Sequence, residues 1–131
     1  MINTKNFDYL NVLEKAADGS WLRNEAISNN LANATTPNYK RQDVAFEDAL
    51  RSSILGATEG SLDHKVHNAN LSTVKPTVFT DTGTVSYRLD GNNVDPETEN
   101  VYLAKNQLYY QGVLSGINHE FDTMKIAMGK K

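Results

Sequence analysis

The sequence predicts a mainly α fold: long N- and C-terminal helices that pair as a coiled-coil-like core, with a short irregular or β-hairpin segment between them. Three observations carry that prediction. Apolar residues recur at intervals of three and four from Leu10 to Ala34. They do so again, more strictly, from Leu103 to Met128. The stretch between about residues 46 and 93 has no sustained period and is interrupted by glycines and threonine-rich turns. Alternating threes and fours average about 3.5 residues, the period that keeps one helix face against a partner. A chain of 131 residues is one domain's worth. Within it the first helix is expected over about 7–35, a variable middle over 46–93 and the last helix over about 95–129.

The first stripe is Leu10, Leu13, Ala17, Ser20, Asn24, Ile27, Leu31 and Ala34. Ser20 and Asn24 are polar breaks in it, and Trp21 and Leu22 lie off it and broaden the apolar surface. Gly19 is a soft spot, about 1 kcal/mol less favourable than alanine in a helix interior. It is expected to mark a bend or a break between two shorter helices. The segment ends under several instructions at once. Asparagines at 29, 30, 33 and 38 compete for nearby backbone groups and favour helix ends. Pro37 lacks an amide hydrogen and pushes Thr36 out of the α region. Asn38 tolerates the left-handed conformation that a tight turn after proline demands.

In the middle, Val44 to Leu55 has helical spacing through Phe46, Leu50 and Ile54 until Gly56 and Gly60 interrupt it. Residues 61–75 are polar and without a strong period. Thr77–Thr80 and Thr84–Leu89 are strand-like runs around Asp81-Thr82-Gly83, which predicts a short hairpin or extended loop. The last helix starts at Asp95-Pro96-Glu97, an N-cap residue, a first-turn proline and an early acid in the favoured order. Its stripe is Leu103, Gln107, Tyr110, Leu114, Ile117, Phe121, Met124 and Met128, with Val101, Ala104 and Leu108 as a second edge. Gly112 and Gly116 weaken it locally and permit close approach of another helix. Lys130 and Lys131 suit the negative end of its dipole.

Composition excludes several functions. A formal net charge of -3 argues against general nucleic-acid binding, which needs a basic face. With no cysteine there is neither a disulfide nor a thiolate metal site. Mean hydropathy is -0.53 and no apolar run approaches the length of a membrane span. The first residues lack the basic region, apolar core and small-residue cleavage site of a secretory signal, so the chain by itself reads as cytoplasmic.

Chemistry-bearing patterns are few. His64 and His67, with Asp63 adjacent, share one helical turn, but no third ligand stands at a recognised spacing. Asp81-Thr82-Gly83 has the letters of an aspartic-protease loop, yet that chemistry needs a mostly β architecture and a second aspartate. The turn reading, in which Asp81 and Gly83 serve backbone geometry, is favoured. No glycine-rich phosphate loop precedes a helix, and no serine–histidine–acid motif is present. Tyr39-Lys40-Arg41 reads as a corner packed on a neighbour. No catalytic residue, metal ligand, cofactor, nucleic acid or small-molecule substrate is expected.

The string Ser28-Asn29-Asn30-Leu31-Ala32-Asn33, continued by Thr36, Pro37, Tyr39 and Lys40, resembles the S-N-N-[LI]-A-N-x-x-T-P-x-Y-[KR] signature of flagellar axial proteins, the rod, hook and hook-associated subunits. Asn38 departs from it, since the family usually has glycine there; both residues tolerate positive φ. A second match lies at Leu89-Asp90-Gly91-Asn92-Asn93-Val94-Asp95, followed by Leu103-Ala104-Lys105-Asn106-Gln107-Leu108-Tyr109-Tyr110-Gln111. It looks like the C-terminal entry of the proximal-rod members. The resemblance implies a structural subunit of the basal-body rod, located in the periplasm and exported by the flagellar type III apparatus without a cleaved signal peptide. It implies partners as well: other copies of the chain, other rod proteins, and the membrane ring with its adaptor. A heterologous interface that does not close generates a helical filament. The subunits would thus form a hollow shaft that transmits torque. The expected assembly interface is Leu10, Leu13, Ala17, Ile27 and Leu31 on the first helix, with Leu103, Tyr110, Leu114, Ile117, Phe121 and Met124 on the last. Two alternatives from other classes are a small cytoplasmic helical adaptor binding a partner helix and, behind it, an aspartic-protease-like homodimer.

Overall fold

The computed structural model describes residues 7–56, 59–83 and 88–129. Helix α1 spans Asp8–Ala32, strand β1 Gln42–Ala45, helix α2 Glu47–Leu55 and helix α3 Leu62–Asn68. A 3-10 turn follows at Leu71–Thr73, then strand β2 at Thr77–Thr80 and helix α4 at Pro96–Ala127. The two long helices lie side by side and antiparallel. Asn30 on α1 meets Glu99 on α4, Ser20 meets Asn106, and Leu13 meets Gly116, so one number falls as the other rises.

The start of α4 is built as its sequence predicts. The Asp95 side chain accepts from the Glu97 amide at 3.2 Å and from the Thr98 hydroxyl at 2.6 Å, with Pro96 in the first turn. The C-terminal lysines lie outside the described residues. Helix α1, by contrast, runs through Gly19 without the expected break. The reason is packing: a Cβ at Gly19 would lie 2.5 Å from the Phe46 ring. This glycine is a site of close approach, where the helix backbone seats an aromatic face. Gly116 plays a milder version of the role beside Leu13, whereas Gly112 has nothing within 4 Å.

The seam between the long helices is partly polar. On α4 its centre is Glu99, Asn106 and Val113, buried at seven-residue intervals and flanked by half-buried Leu103, Tyr110, Ile117 and Met124. Leu114 and Phe121, a quarter-turn round the helix, stand out of this intramolecular seam and are 39% and 45% exposed. On α1, Ser20, a polar break in the stripe, is fully buried. Its hydroxyl donates to Asn106 Oδ1 at 3.0 Å, and Asn106 Nδ2 donates to the Ser20 carbonyl at 2.9 Å. The pair satisfies itself, as buried polar groups must.

The middle segment closes over the flank of α1. Strands β1 and β2 pair antiparallel, with Gln42 opposite Thr80 and Ala45 opposite Thr77. The β element expected at Thr77–Thr80 is thus present, but its described partner is β1; residues 84–87 of the other expected arm lie outside the described residues. Val44, read above as helical, belongs to that strand, and α2 starts only at Glu47. Residues 61–75, read as aperiodic, hold α3 and the 3-10 turn. Both are too short for periodicity and are started by side-chain caps: Ser61 accepts from the His64 amide and Asn70 from the Ser72 amide. One apolar cluster joins Ala16, Leu50, Leu71, Val74 and Val113; a second joins Ala26, Val44 and Phe46.

Gly19 and Gly112 therefore predict opposite outcomes. Gly19→Ala forces the Phe46 ring to move and should destabilise the fold by about 1–3 kcal/mol. Gly112→Ala meets open space and should stabilise it by about 1 kcal/mol. Urea unfolding of the two variants checks the signs.

Candidate functional site: the motif corner

The two sequence motifs meet in space at the end of α1 and are stitched together there by hydrogen bonds. Helix α1 stops at Asn33, whose amide reaches the carbonyls of Asn29 and Asn30. Thr36 N–H then bonds the Asn33 carbonyl at 3.0 Å, and Asn38 adopts φ 60, the left-handed turn its sequence predicts. The Asn38 amide donates to the Asp90 carbonyl at 2.7 Å, from the second motif. Asn92, fully buried, sends Nδ2 to the carbonyls of Asn33 and Thr36 at 2.8 and 2.9 Å. Arg88 donates to the Ala34 carbonyl at 2.7 Å, and the Lys40 ammonium reaches the Gly91 carbonyl. The last carbonyls of α1 are met within the turn itself, Asn29 and Asn30 by the Asn33 amide and Leu31 by the Ala34 amide, and the second motif takes those of Asn33 and Thr36 just beyond.

Beneath this stitching lies a buried ionic centre. Asn30 is fully buried. Its Nδ2 donates to the Gln42 carbonyl at 2.8 Å and to Glu99 Oε2 at 3.2 Å, while its Oδ1 accepts from the Gln42 amide at 2.8 Å and the Tyr39 hydroxyl at 3.3 Å. Arg41 completes the centre. Its Nε donates to Glu99 Oε1 at 2.7 Å and its Nη1 to Asp81 Oδ2 at 2.8 Å, with Asp43 at 3.6 Å and the Tyr102 ring 5.4 Å below the guanidinium. Burial works against the Arg41 charge, but hydrogen bonds to Glu99 and Asp81 outweigh it and hold the guanidinium protonated. Asn93 ties in the backbone, accepting from the Arg41 amide at 2.7 Å and donating to the Asp81 carbonyl at 2.8 Å.

A second arginine sits on the neighbouring wall. Arg23 donates to the Val44 carbonyl at 2.6 Å, to Glu47 and to Asp43, and its guanidinium lies 5.1 Å from the Phe46 ring centre. Burial raises the Glu47 pKa, yet the Arg23 hydrogen bonds hold it below the ordinary glutamate value. Between the two arginines, Tyr102 and Tyr109 line an open cleft of about 370 Å³. Both arginines along this cleft are already matched by carboxylates, and the geometry places no nucleophile beside a general base.

Several motif residues are quieter. Asn29, Ala32 and Pro37 are exposed. Ser28 bonds its own helix at Asn24, and Leu31 is half-buried. Tyr39-Lys40-Arg41, read as a corner on a neighbour, turns Arg41 inward onto its own chain. Asp81 and Gly83 form a turn, the Gly83 amide donating to Asp81 Oδ1 at 3.0 Å, while the other carboxylate oxygen serves Arg41. His67 Nδ1 lies 2.7 Å from Asp8, and Asp63 accepts from Tyr9, so the two histidine neighbourhoods link α3 to α1. Among the described residues no group of three His, Cys, Asp or Glu could hold a metal ion. Sequence reasoning missed Glu99 and Asn106, because an acid in a first helical turn and an asparagine off the apolar stripe both read as solvated.

Comparison with known proteins bears on this corner. The chain is 35% identical over 121 residues to the flagellar basal body rod protein FlgB of Bacillus subtilis, covering 88% of this chain and 89% of that protein. It is 33% identical over 129 residues to FlgB of Borrelia hermsii, covering 92% and 90%. Identity to FlgB of Escherichia coli is 30% over 117 residues, covering 78% and 79%. The chain belongs to the FlgB family. No family model matches the sequence. The axial-protein resemblance read from the two motifs is thereby established, and in this FlgB-family chain those motifs close an internal corner. No described helix is long and apolar enough to cross a membrane.

Two predictions follow from the ion pairs. Glu99→Ala leaves the Arg41 guanidinium without its buried partner and should cost about 3–5 kcal/mol, read from urea unfolding. Glu99→Leu combined with Arg41→Met should cost markedly less than Glu99→Ala alone. For Glu47, the folded pKa is depressed, so its stabilisation is present above the unfolded value, near 4.3, and is lost as pH falls through the folded value. The stability gap between wild type and Glu47→Gln should be constant near neutrality and shrink below about pH 4.

Proposed function

We propose that this chain is a structural subunit of the bacterial flagellar proximal rod, and that it assembles through its terminal helices into a hollow helical shaft that transmits torque. Its partners in that role are other copies of itself, other rod proteins, and the membrane ring with its adaptor. It reaches the periplasmic rod through the type III export apparatus without a cleaved signal peptide. The reading is of a structural protein, not an enzyme.

One observation supports it beyond family membership. After α1 has taken its share of α4, apolar side chains remain in water on two sides of the helix: Val101, Leu108 and Ile126 on the outer side, and Leu114, Phe121 and Met128 along the edge of the seam. Such a surface on a small domain marks an interaction site. The half-buried Tyr110, Ile117 and Met124 continue it inward. A neighbouring helix laid against Leu114 and Phe121 would therefore extend the existing seam. Filling it contributes about 1.5–3 kcal/mol for each large side chain buried, and the gain repeats at every copy of a filament.

Leu114→Asp and Phe121→Asp test the reading. Both positions are only half covered in the isolated subunit, so the monomer should lose no more than about 1–2 kcal/mol and stay folded. In the rod an unpaired buried carboxylate is costly by several kcal/mol, and rod formation and motility should be lost. Export should persist, read as subunit recovered outside the cytoplasm. Swimming cells carrying either variant would refute the assignment.

A further inference from the structure

Trp21 is the chain's single tryptophan, and it is 64% exposed. It stands in an outward stripe of α1: Glu14, Asp18, Trp21, Glu25, Ser28 and Ala32, every member exposed. Glu14, Asp18 and Glu25 make no ion pair among the described residues. Helix α4 carries an outward stripe of its own: Val101, Lys105, Leu108, Gly112, Ser115 and His119, again all exposed. Lys105 and His119 likewise have no ion-pair partner among the described residues. Gly112 leaves a gap in the middle, with nothing within 4 Å of where its Cβ would be.

We propose that these two stripes are the halves of one heterologous contact, in which α1 of one copy lies antiparallel on α4 of the next with Trp21 seated over Gly112. The inference rests on the rod-subunit reading and names the surfaces it uses. Both stripes step by four, three, four, three and four residues when α1 is read forward and α4 backward. Setting Trp21 opposite Gly112 then brings all six positions into register, with Glu14 against His119 and Ala32 against Val101. Lys105 lies within one turn of Glu25. The steps read the same in both directions, so Gly112 sets the direction: with Trp21 over that gap a parallel pair places threes against fours, and a parallel pair in register puts the indole on Leu108 instead. Sliding the antiparallel pair by one heptad seats the indole on Lys105 or His119 instead of in the gap. A large aromatic entering a pocket left by glycine is the knob-and-hole geometry that carries binding energy. The two stripes sit on different helices, so each copy keeps one free half and the contact is heterologous, the kind that builds a filament when its rotation does not close.

The absence of cysteine and the single tryptophan make the contact directly readable. Asp18→Cys and Ser115→Cys placed in one chain should give a ladder of cross-linked multimers on oxidation of assembled rods, and neither single variant should do so. A disulfide forms only if the two Cα atoms come within about 7 Å. Rods that form but yield no cross-link, or stop at a dimer, overturn the proposal. Should the double variant fail to incorporate, the unaltered protein decides. Trp21 emission should shift to shorter wavelength on assembly; assembled rods with water-like emission overturn the contact and leave the rod reading intact. An unaltered chain that never enters a basal body overturns the rod reading and the contact together.

Discussion

The buried contact between Arg41 and Glu99 is the interaction on which the rest of the structure depends. It joins three pieces of chain far apart in sequence: the exit from α1, the turn after β2 that holds Asp81, and the first turn of α4. Taking two charges out of water is expensive, and attraction repays it only where the remaining hydrogen-bonding capacity is filled. Here it is filled, by Asn30 on the second oxygen of Glu99 and by Asp81 and Asp43 on the guanidinium. No buried polar side-chain atom among the described residues lacks a partner. Each member meets at least two others or the backbone, so loss of one leaves a buried group short of a partner. That makes it a device for specifying geometry more than for adding stability.

The same logic runs along the seam. An α1–α4 contact made only of leucine would accept several registers, each shifted by a heptad. Ser20 against Asn106, and Asn30 against Glu99, accept one. A polar residue at a core position fixes register at a cost in stability. The seam thus inverts the usual arrangement at its middle: amides and a carboxylate lie inside while Val101, Leu108 and Phe121 lie outside. For an isolated domain that distribution is poor. For a subunit whose outer faces are covered on assembly it separates two tasks, with polar contacts setting the shape of the subunit and apolar ones holding copies together.

What could be read in the sequence follows the length scale of the signal. The two long helices were legible because a period repeated over four or more turns outweighs local noise. The Asn38 turn was legible because few residues tolerate φ 60. Helix α3 was not, since seven residues held by a serine cap leave almost no periodicity. Gly19 was misread for another reason. Its helix propensity is a local quantity, and the Phe46 ring that needs the missing Cβ comes from 27 positions along the chain. Glu99 was invisible on the same ground: its role is defined by Arg41 and Asn30, and nothing beside it in sequence distinguishes a buried carboxylate from a helix-dipole acid.

A consequence for assembly lies in how the corner divides the chain. The motif residues with the tightest hydrogen bonding, Asn30, Asn92 and Asn93, are buried and spend their polar atoms within the subunit. Residues that face outward on the long helices carry the apolar and unpaired charged groups. The buried members of the signature therefore fix an internal corner, while Ser28 and Ala32 of the same string face outward. In the proposed contact the neighbour is met by the outer stripes, whose exposed side chains are spared the hydrogen bonding that holds the corner. Under the proposed reading, a subunit that keeps its shape through the corner and meets its neighbours through the stripes has the two tasks on separate sets of side chains.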